Sequence, residues 1–216
     1  MNPMLSENDR TQLDRQIADA ERRTKVQIVL ATIKRSDSYA ELPWKAFALG
    51  ASVAGLLVFA CDLMLPGWIT STAIIASVAA TLGAGALLAL LAILVPGFAR
   101  LLLSEYRAEV EVQQYAESLF LSKEMFATSA RTGVLLLVSL FERRVVIIPD
   151  KGLRDRLDAA ALQNIIAQVT EPLARKDVRC ALETGLEEFI RVLAPSDTAT
   201  SPEDELSNEI IEGKGI

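Results

Sequence analysis

Between Ala46 and Ala99 the chain carries a single charged side chain, Asp62, and from Gly67 to Ala99 it carries none. A helix crosses the hydrocarbon layer of a bilayer with about 20 apolar residues, so the run accommodates two crossings. Leu65-Pro66-Gly67-Trp68 supplies a turn between them, with Trp68 at an interface level. The second stretch exceeds one crossing, and Pro96-Gly97 is where its helix is expected to break or bend. A run of this kind is too long and too uniform for a buried soluble hairpin, so the rest of the fold must be arranged around it.

The flanking charges predict an orientation. Lys34, Arg35 and Lys45 precede the first crossing and Arg100 and Arg107 follow the second, whereas the connecting turn has no Lys or Arg. By the positive-inside rule both ends lie in the cytoplasm. The first 45 residues are polar and patterned, unlike a signal peptide. Small residues recur at helical spacing: Gly50 and Ala54, Ala51 and Gly55, then Ser77, Thr81, Gly85 and Ala89. Such spacing lets helix backbones approach closely. It serves the packing of the two helices on each other or a docking face for another membrane protein. Asp62, close to the turn, is expected at the interface and not as a proton carrier.

The segments on either side read as halves of one α/β unit. Ser6, with Asp9 three residues on, can cap a helix whose face is Leu13, Ile17 and Ala20. Val26–Ile33 is a β-rich run of strand length, followed by the polar loop Lys34–Ser38. Beyond the hairpin, 103 to about 129 is helical, with Val112, Tyr115, Ala116, Leu119 and Phe120 as its buried stripe. Val134–Ser139 is an unbroken apolar strand suited to a central position covered on both faces. Arg144–Ile148 is expected to pair back antiparallel, and two helices follow, Ala159–Thr170 and Val178–Leu193, with Pro172 marking the break. Three or four strands with helices on both faces make a small three-layer α/β/α sandwich interrupted by a two-helix transmembrane hairpin. The expected boundaries are 1–45 and 100–194 for the two halves and 46–99 for the hairpin.

The net charge of −6 is uneven: residues 195–216 carry one Lys against six acidic side chains, and the remainder is nearly neutral. This acidic segment is read as a disordered tail, and a short helical partner motif around Leu206, Ile210 and Ile211 is the less favoured alternative. With no basic face, nucleic-acid binding is not expected. The chain has no histidine, which removes Ser-His-Asp and Cys-His catalysis and histidine metal sites. Two cysteines, Cys61 and Cys180, make neither a disulfide framework nor a four-cysteine metal site.

Several stretches resemble the TPM domains, a family named for a thylakoid lumen protein, a photosystem II protein and a receptor modulator. The resemblance is carried by Ala20–Val29, by Ser36-Asp37-Ser38-Tyr39, and by Arg131–Ser139 with Glu142–Val145 and Asp150-Lys151-Gly152-Leu153. It covers about 6–45 and 104–193 and looks closest to bacterial membrane members with an inserted hairpin. The resemblance implies a three-layer α/β fold, with weak acid phosphatases, calcium binders and accessory subunits of membrane complexes among its members. Members with a secretion signal and a lumenal or periplasmic domain differ from this chain.

A phosphatase needs a nucleophile, an acid and a phosphate cradle. Neither cysteine has an arginine six residues on, and there is no Asp-x-Asp pair and no Gly-x4-Gly-Lys-Ser/Thr loop. What remains is a carboxylate-held metal with water as nucleophile, for which Asp37 and Asp150 are the candidates because both follow strand ends. The competing expectation makes Asp150 the start of a tight turn before Gly152 and Asp37 a solvated loop residue. Lys151, Arg143 and Arg144 are either an anion or headgroup contact or exposed hairpin charge. Asp37, Asp150, Lys151 and Gly152 are therefore the ligand-binding candidates, and no catalytic residue, resident metal or cofactor is expected. The reading that results is an inner-membrane, two-pass protein in contact with the lipid bilayer. Its expected role is a non-enzymatic accessory, assembly or stabilising subunit of an integral membrane complex.

Overall fold

The computed structural model describes residues 5–64, 70–128 and 130–194, and the backbone of 211–213. The chain divides into two compact units. One comprises the described residues up to Asp37 and from Ala108 onward; the other is Ser38–Arg107.

The first unit is discontinuous in sequence. Helix α1 (Glu7–Thr24) begins at Ser6, whose hydroxyl accepts from the Asp9 amide while the Asp9 carboxylate accepts from the Ser6 amide, a reciprocal capping box. It ends where Lys25 takes a left-handed conformation at φ 59°. Strand β1 (Gln27–Ile33) follows. Its start is fixed by the buried Glu21 carboxylate, which accepts from the Ile28 amide at 2.8 Å and from the Gln27 side chain at 3.0 Å. After the other unit come α5 (Glu105–Ser122, which begins in that unit), β2 (Gly133–Ser139), β3 (Arg144–Pro149), α6 (Ala159–Ala174) and α7 (Val178–Leu193). A three-residue strand, β4 (Ile211–Gly213), closes the order.

The sheet runs β3-β2-β1-β4. Strand β1 pairs with β2 in parallel, Gln27 opposite Gly133 and Ile33 opposite Ser139, and β3 returns antiparallel on β2. Period-two alternation divides the strand side chains between two cores. Ile28, Leu30, Val134, Leu136 and Val138 face α1, α6 and α7, with Phe189 and Val169 packed there. Val29, Ala31, Ile33, Leu135 and Leu137 face α5 through Val112, Ala116 and Phe120. Every residue of β2 is buried, as the unbroken apolar run required. The unit is a three-layer α/β/α sandwich with strands drawn from both halves of the sequence.

Three details differ from the sequence reading. Pro172 lies inside the last turn of α6, which continues to Ala174 and ends where the Arg175 amide meets the Pro172 carbonyl. The helix after the hairpin stops at Ser122, and a 3-10 turn at Met125–Ala127 leads into β2. The acidic segment, read as disordered, contributes β4, which extends the sheet by pairing Ala31–Ile33 with Ile211–Gly213 in parallel. The remainder of that segment, including Leu206 and Ile210, lies outside the described residues.

The second unit is the hairpin. Helix α2 (Glu41–Met64) starts before the uncharged run, carrying Lys45 in its first turns, and α3 (Ser71–Leu94) is capped by the Thr70 hydroxyl accepting from the Ala73 amide. Each helix is 24 residues and about 36 Å long, enough to cross a bilayer core of about 30 Å. The proline break occurs as expected: α3 ends at Leu94, Val95 caps it, and Pro96 opens the short α4 (Pro96–Leu101). Large apolar side chains point outward, Leu56 at 68% exposure and Leu94 at 68% among them. The turn expected at Leu65-Pro66-Gly67-Trp68 lies outside the described residues.

Candidate functional site

In open α/β sheets, ligand sites form beyond the carboxyl ends of the parallel strands. Here β1 and β2 end side by side, and the ladder continues one step further as the Leu140 amide donates to the Ile33 carbonyl and Phe141 to Lys34. The chain then turns through Arg143 at φ 53°, which places Glu142 under the turn and not on its outside. Glu142 is only 7% exposed. One carboxylate oxygen accepts from the Ser36 amide at 2.9 Å and from the Ser36 hydroxyl at 2.7 Å. The other accepts from the Ser139 hydroxyl. Ser36 and Ser139 are themselves buried, at 3% and 0% exposure. The neighbouring Arg35 guanidinium stacks on Phe141, 4.6 Å from the ring centroid.

This polar cluster joins the loop after β1 to the turn after β2. A buried carboxylate is costly without donors, and three donors meet this one. The same arrangement limits its chemistry. The two hydroxyls within reach of a base are closed off from solvent, and the base already accepts from both.

Asp37 follows β1, half-buried and one residue from this cluster. Asp150 is elsewhere. Because β3 runs antiparallel, its carboxyl end lies beside the start of β2, where the Asp150 amide donates to the Gly133 carbonyl at 2.8 Å. The seven residues of β2 separate the two ends of the sheet by about 20 Å. The two aspartates therefore do not form one site: residing just past a strand end means opposite ends of the sheet for parallel and antiparallel strands.

Asp150 instead organises its own turn. It is 5% exposed and its carboxylate accepts from the Lys151 amide at 2.7 Å. Arg131 approaches it with both arms of the guanidinium, Nε 2.9 Å from one oxygen and Nη2 3.2 Å from the other. Gly152 presses on the same strand entry. Its amide donates to the Arg131 carbonyl at 2.9 Å, and a Cβ there would sit 2.5 Å and 2.6 Å from the carbonyl oxygens of Ala130 and Arg131. Gly133 is equally confined, since a Cβ there would lie 2.5 Å from the Met125 carbonyl oxygen. Asp150 and Gly152 thus act as a structural clasp around the start of β2, and Lys151 projects outward, exposed. Arg144 reaches Glu109 at 3.9 Å, an exposed pair on the α5 side.

A calcium ion, which the resemblance implies for some relatives, needs six to eight oxygen ligands, several of them carboxylates. Among the described residues no group of three His, Cys, Asp or Glu side chains is arranged to hold a metal. Glu142 is engaged by the serines and Asp150 by Arg131, so the residues present do not fit that ion.

Within the hairpin, the small residues fall on the covered stripe of each helix. Gly50 meets α3 most closely: a Cβ there would lie 2.6 Å from the Ala84 carbonyl oxygen, and one at Gly85 would lie 2.9 Å from the Phe47 ring. Ala54, Ser77 and Thr81 are half-buried. The hydroxyls of Ser77 and Thr81 bond back to Ala73 and Ser77 carbonyls on their own helix. Gly55 is different, with nothing within 4 Å of its missing side chain.

The Ser36–Ser139–Glu142 cluster was not identified from sequence. Its one signal is Ser139 at the end of a strand followed by Glu three residues on, which does not reveal that the turn would fold the glutamate inward.

Residues 100–192 match the family model of the TPM domain. The solved NMR structure of the BA42 protein from the psychrophilic bacterium Bizionia argentinensis is similar, with a TM-score of 0.56 and 16% sequence identity over 99% of this chain and 98% of that one. At that identity the likeness is one of fold. No curated protein matches the chain.

Proposed function

We propose that this chain is a two-pass membrane protein of TPM type. Its sandwich acts as a non-enzymatic accessory, assembly or stabilising subunit of a larger membrane complex. The observation that carries this reading is the self-satisfied cluster at the carboxyl ends of β1 and β2. Where an enzyme of this architecture would expose a base and a nucleophile, Glu142 is held by three donors, and Ser36 and Ser139 are sealed. The outward apolar faces of α2 and α3 agree with it, because such faces require lipid or another membrane helix. Lys34, Arg35, Lys45, Arg100 and Arg107 flank the hairpin and favour the cytoplasmic side of the inner membrane for the sandwich.

Extraction from native membranes in a gentle detergent, followed by size separation and mass spectrometry, tests the reading. A stoichiometric membrane protein travelling with the chain is the expected result. Purified full-length protein that hydrolyses phosphoesters in a divalent-dependent way, with loss on Asp37→Asn or Glu142→Gln, would overturn it in favour of a weak metal-assisted phosphatase.

A further inference from the structure

The two hairpin helices are close at one level and apart at another. At Gly50 and Gly85 there is no room for a side chain, whereas at Gly55 the helices leave open space. A groove of about 360 Å³ opens there, lined by Gly55, Val58, Phe59 and Asp62 of α2 and by Ile74 and Ser77 of α3. Its walls are apolar except for the Asp62 carboxylate and the Ser77 hydroxyl. The Ser77 hydroxyl donates to the Ala73 carbonyl of its own helix. No hydrogen bond or ion pair joins Asp62 to another described residue.

Asp62 is the one charged side chain between Ala46 and Ala99. It lies 17 residues beyond Lys45, about 25 Å along the helix, near the far boundary of the hydrocarbon layer. A carboxylate at that depth is stabilised by a cation reaching it from a neighbouring helix. A second copy of this chain in the same orientation cannot provide one at that level, because it has no Lys or Arg between Ala46 and Ala99; self-association would bring only apolar surface or another carboxylate to Asp62. Gly55 supplies the gap into which a neighbouring side chain fits.

We infer that this groove seats a transmembrane helix of a different protein. That helix carries a Lys or Arg near the same membrane boundary, its cation against Asp62 and an adjacent apolar side chain in the space left by Gly55. The inference rests on the subunit reading above and names the surface through which it would operate.

Photo-crosslinking from Val58 of the full-length chain in native membranes tests it. The expected product joins Val58 to a transmembrane segment of another protein that has a Lys or Arg at that level. Asp62→Asn and Gly55→Leu each reduce the product about tenfold or more, and Asp62→Lys recovers it when the partner's cation is exchanged for Asp. Gly55→Leu leaves the hairpin itself intact because the added side chain enters open space. A crosslink that persists undiminished in both variants overturns the groove while leaving the subunit reading standing. A crosslink to a second copy, or to lipid alone, also overturns the groove. If no other membrane protein is extracted with the chain, the subunit reading and the inference fall together.

Discussion

The sandwich and the hairpin distribute their apolar side chains in opposite ways, which on the two-pass reading proposed above answers to opposite solvents. In the sandwich, apolar side chains point into two cores and buried polar groups such as Glu21, Glu142 and Asp150 are met by specific donors. In the hairpin, most large apolar side chains face outward, and the inner stripe is rich in glycine, alanine, serine and threonine, with Leu42 and Phe47 among them. Lipid offers no hydrophobic driving force between helices, so close approach of backbones takes over the role that a large-residue core has in water. Glycine illustrates the contrast. Gly133 and Gly152 exist because a carbonyl occupies the Cβ position across a turn; Gly50 exists because a helix backbone does.

The comparison is broken most directly in the core. Phe189 is fully buried among α1, α7 and the sheet, and Phe189→Ala is expected to destabilise the sandwich by about 3–5 kcal/mol. Leu57→Ala on the outward face of α2, 63% exposed, is expected to leave that transition unmoved. Denaturant unfolding followed by near-ultraviolet circular dichroism distinguishes the two. Next comes the polar cluster. Glu142→Ala removes the acceptor that the Ser36 amide and hydroxyl and the Ser139 hydroxyl share, an expected loss of about 3 kcal/mol, with Glu142→Gln costing less because it retains an acceptor. Thermal unfolding of the three proteins side by side measures the series.

A glycine pair sharpens the contrast further. Gly152→Ala drives a Cβ into two carbonyl oxygens, for which about 2 kcal/mol is expected. Gly55→Ala adds a methyl group to open space and should change little, which equilibrium unfolding would show. The smallest effect lies at the α1 cap. The Ser6 hydroxyl, the Ser6 amide and then Arg179 hold the Asp9 carboxyl below its ordinary value of 3.8. A carboxyl depressed on folding stabilises the protein above 3.8, and that contribution fades as pH falls through the lowered value. Ser6→Ala removes the largest cause. It should cost about 1 kcal/mol near neutrality and flatten the acid-side decline in a pH series of melting temperatures.

Periodicity made most of the architecture legible. The alternation in Val26–Ile33, the unbroken run of Val134–Ser139 and the amphipathic spacing after Ala159 each encode an element through its own burial, and each lies close to its expected bounds. What stayed hidden depends on relations between elements. Glu142 looks like any turn carboxylate until Arg143 adopts a positive φ and folds it under. Asp37 and Asp150 share a local context, yet strand direction puts them at opposite ends of the sheet. Gly55 has the spacing of a packing residue, but spacing alone does not tell at which level two helices part. The pairing of β4 with β1 joins an acidic segment to a strand far away in sequence, with no local pattern to announce it.

The parallel pairing of β1 with β2 spans the whole hairpin, Gln27 meeting Gly133. During synthesis at about 5–20 residues per second, β1 leaves the ribosome roughly 5–20 s before its partner exists. In that interval the next segments to emerge are the two apolar helices. On the two-pass reading proposed above, the hairpin is available for insertion before the sheet can be completed, and until β2 emerges β1 keeps an unpaired edge. On that reading, the interval between the two strands is also the interval in which the hairpin meets the bilayer.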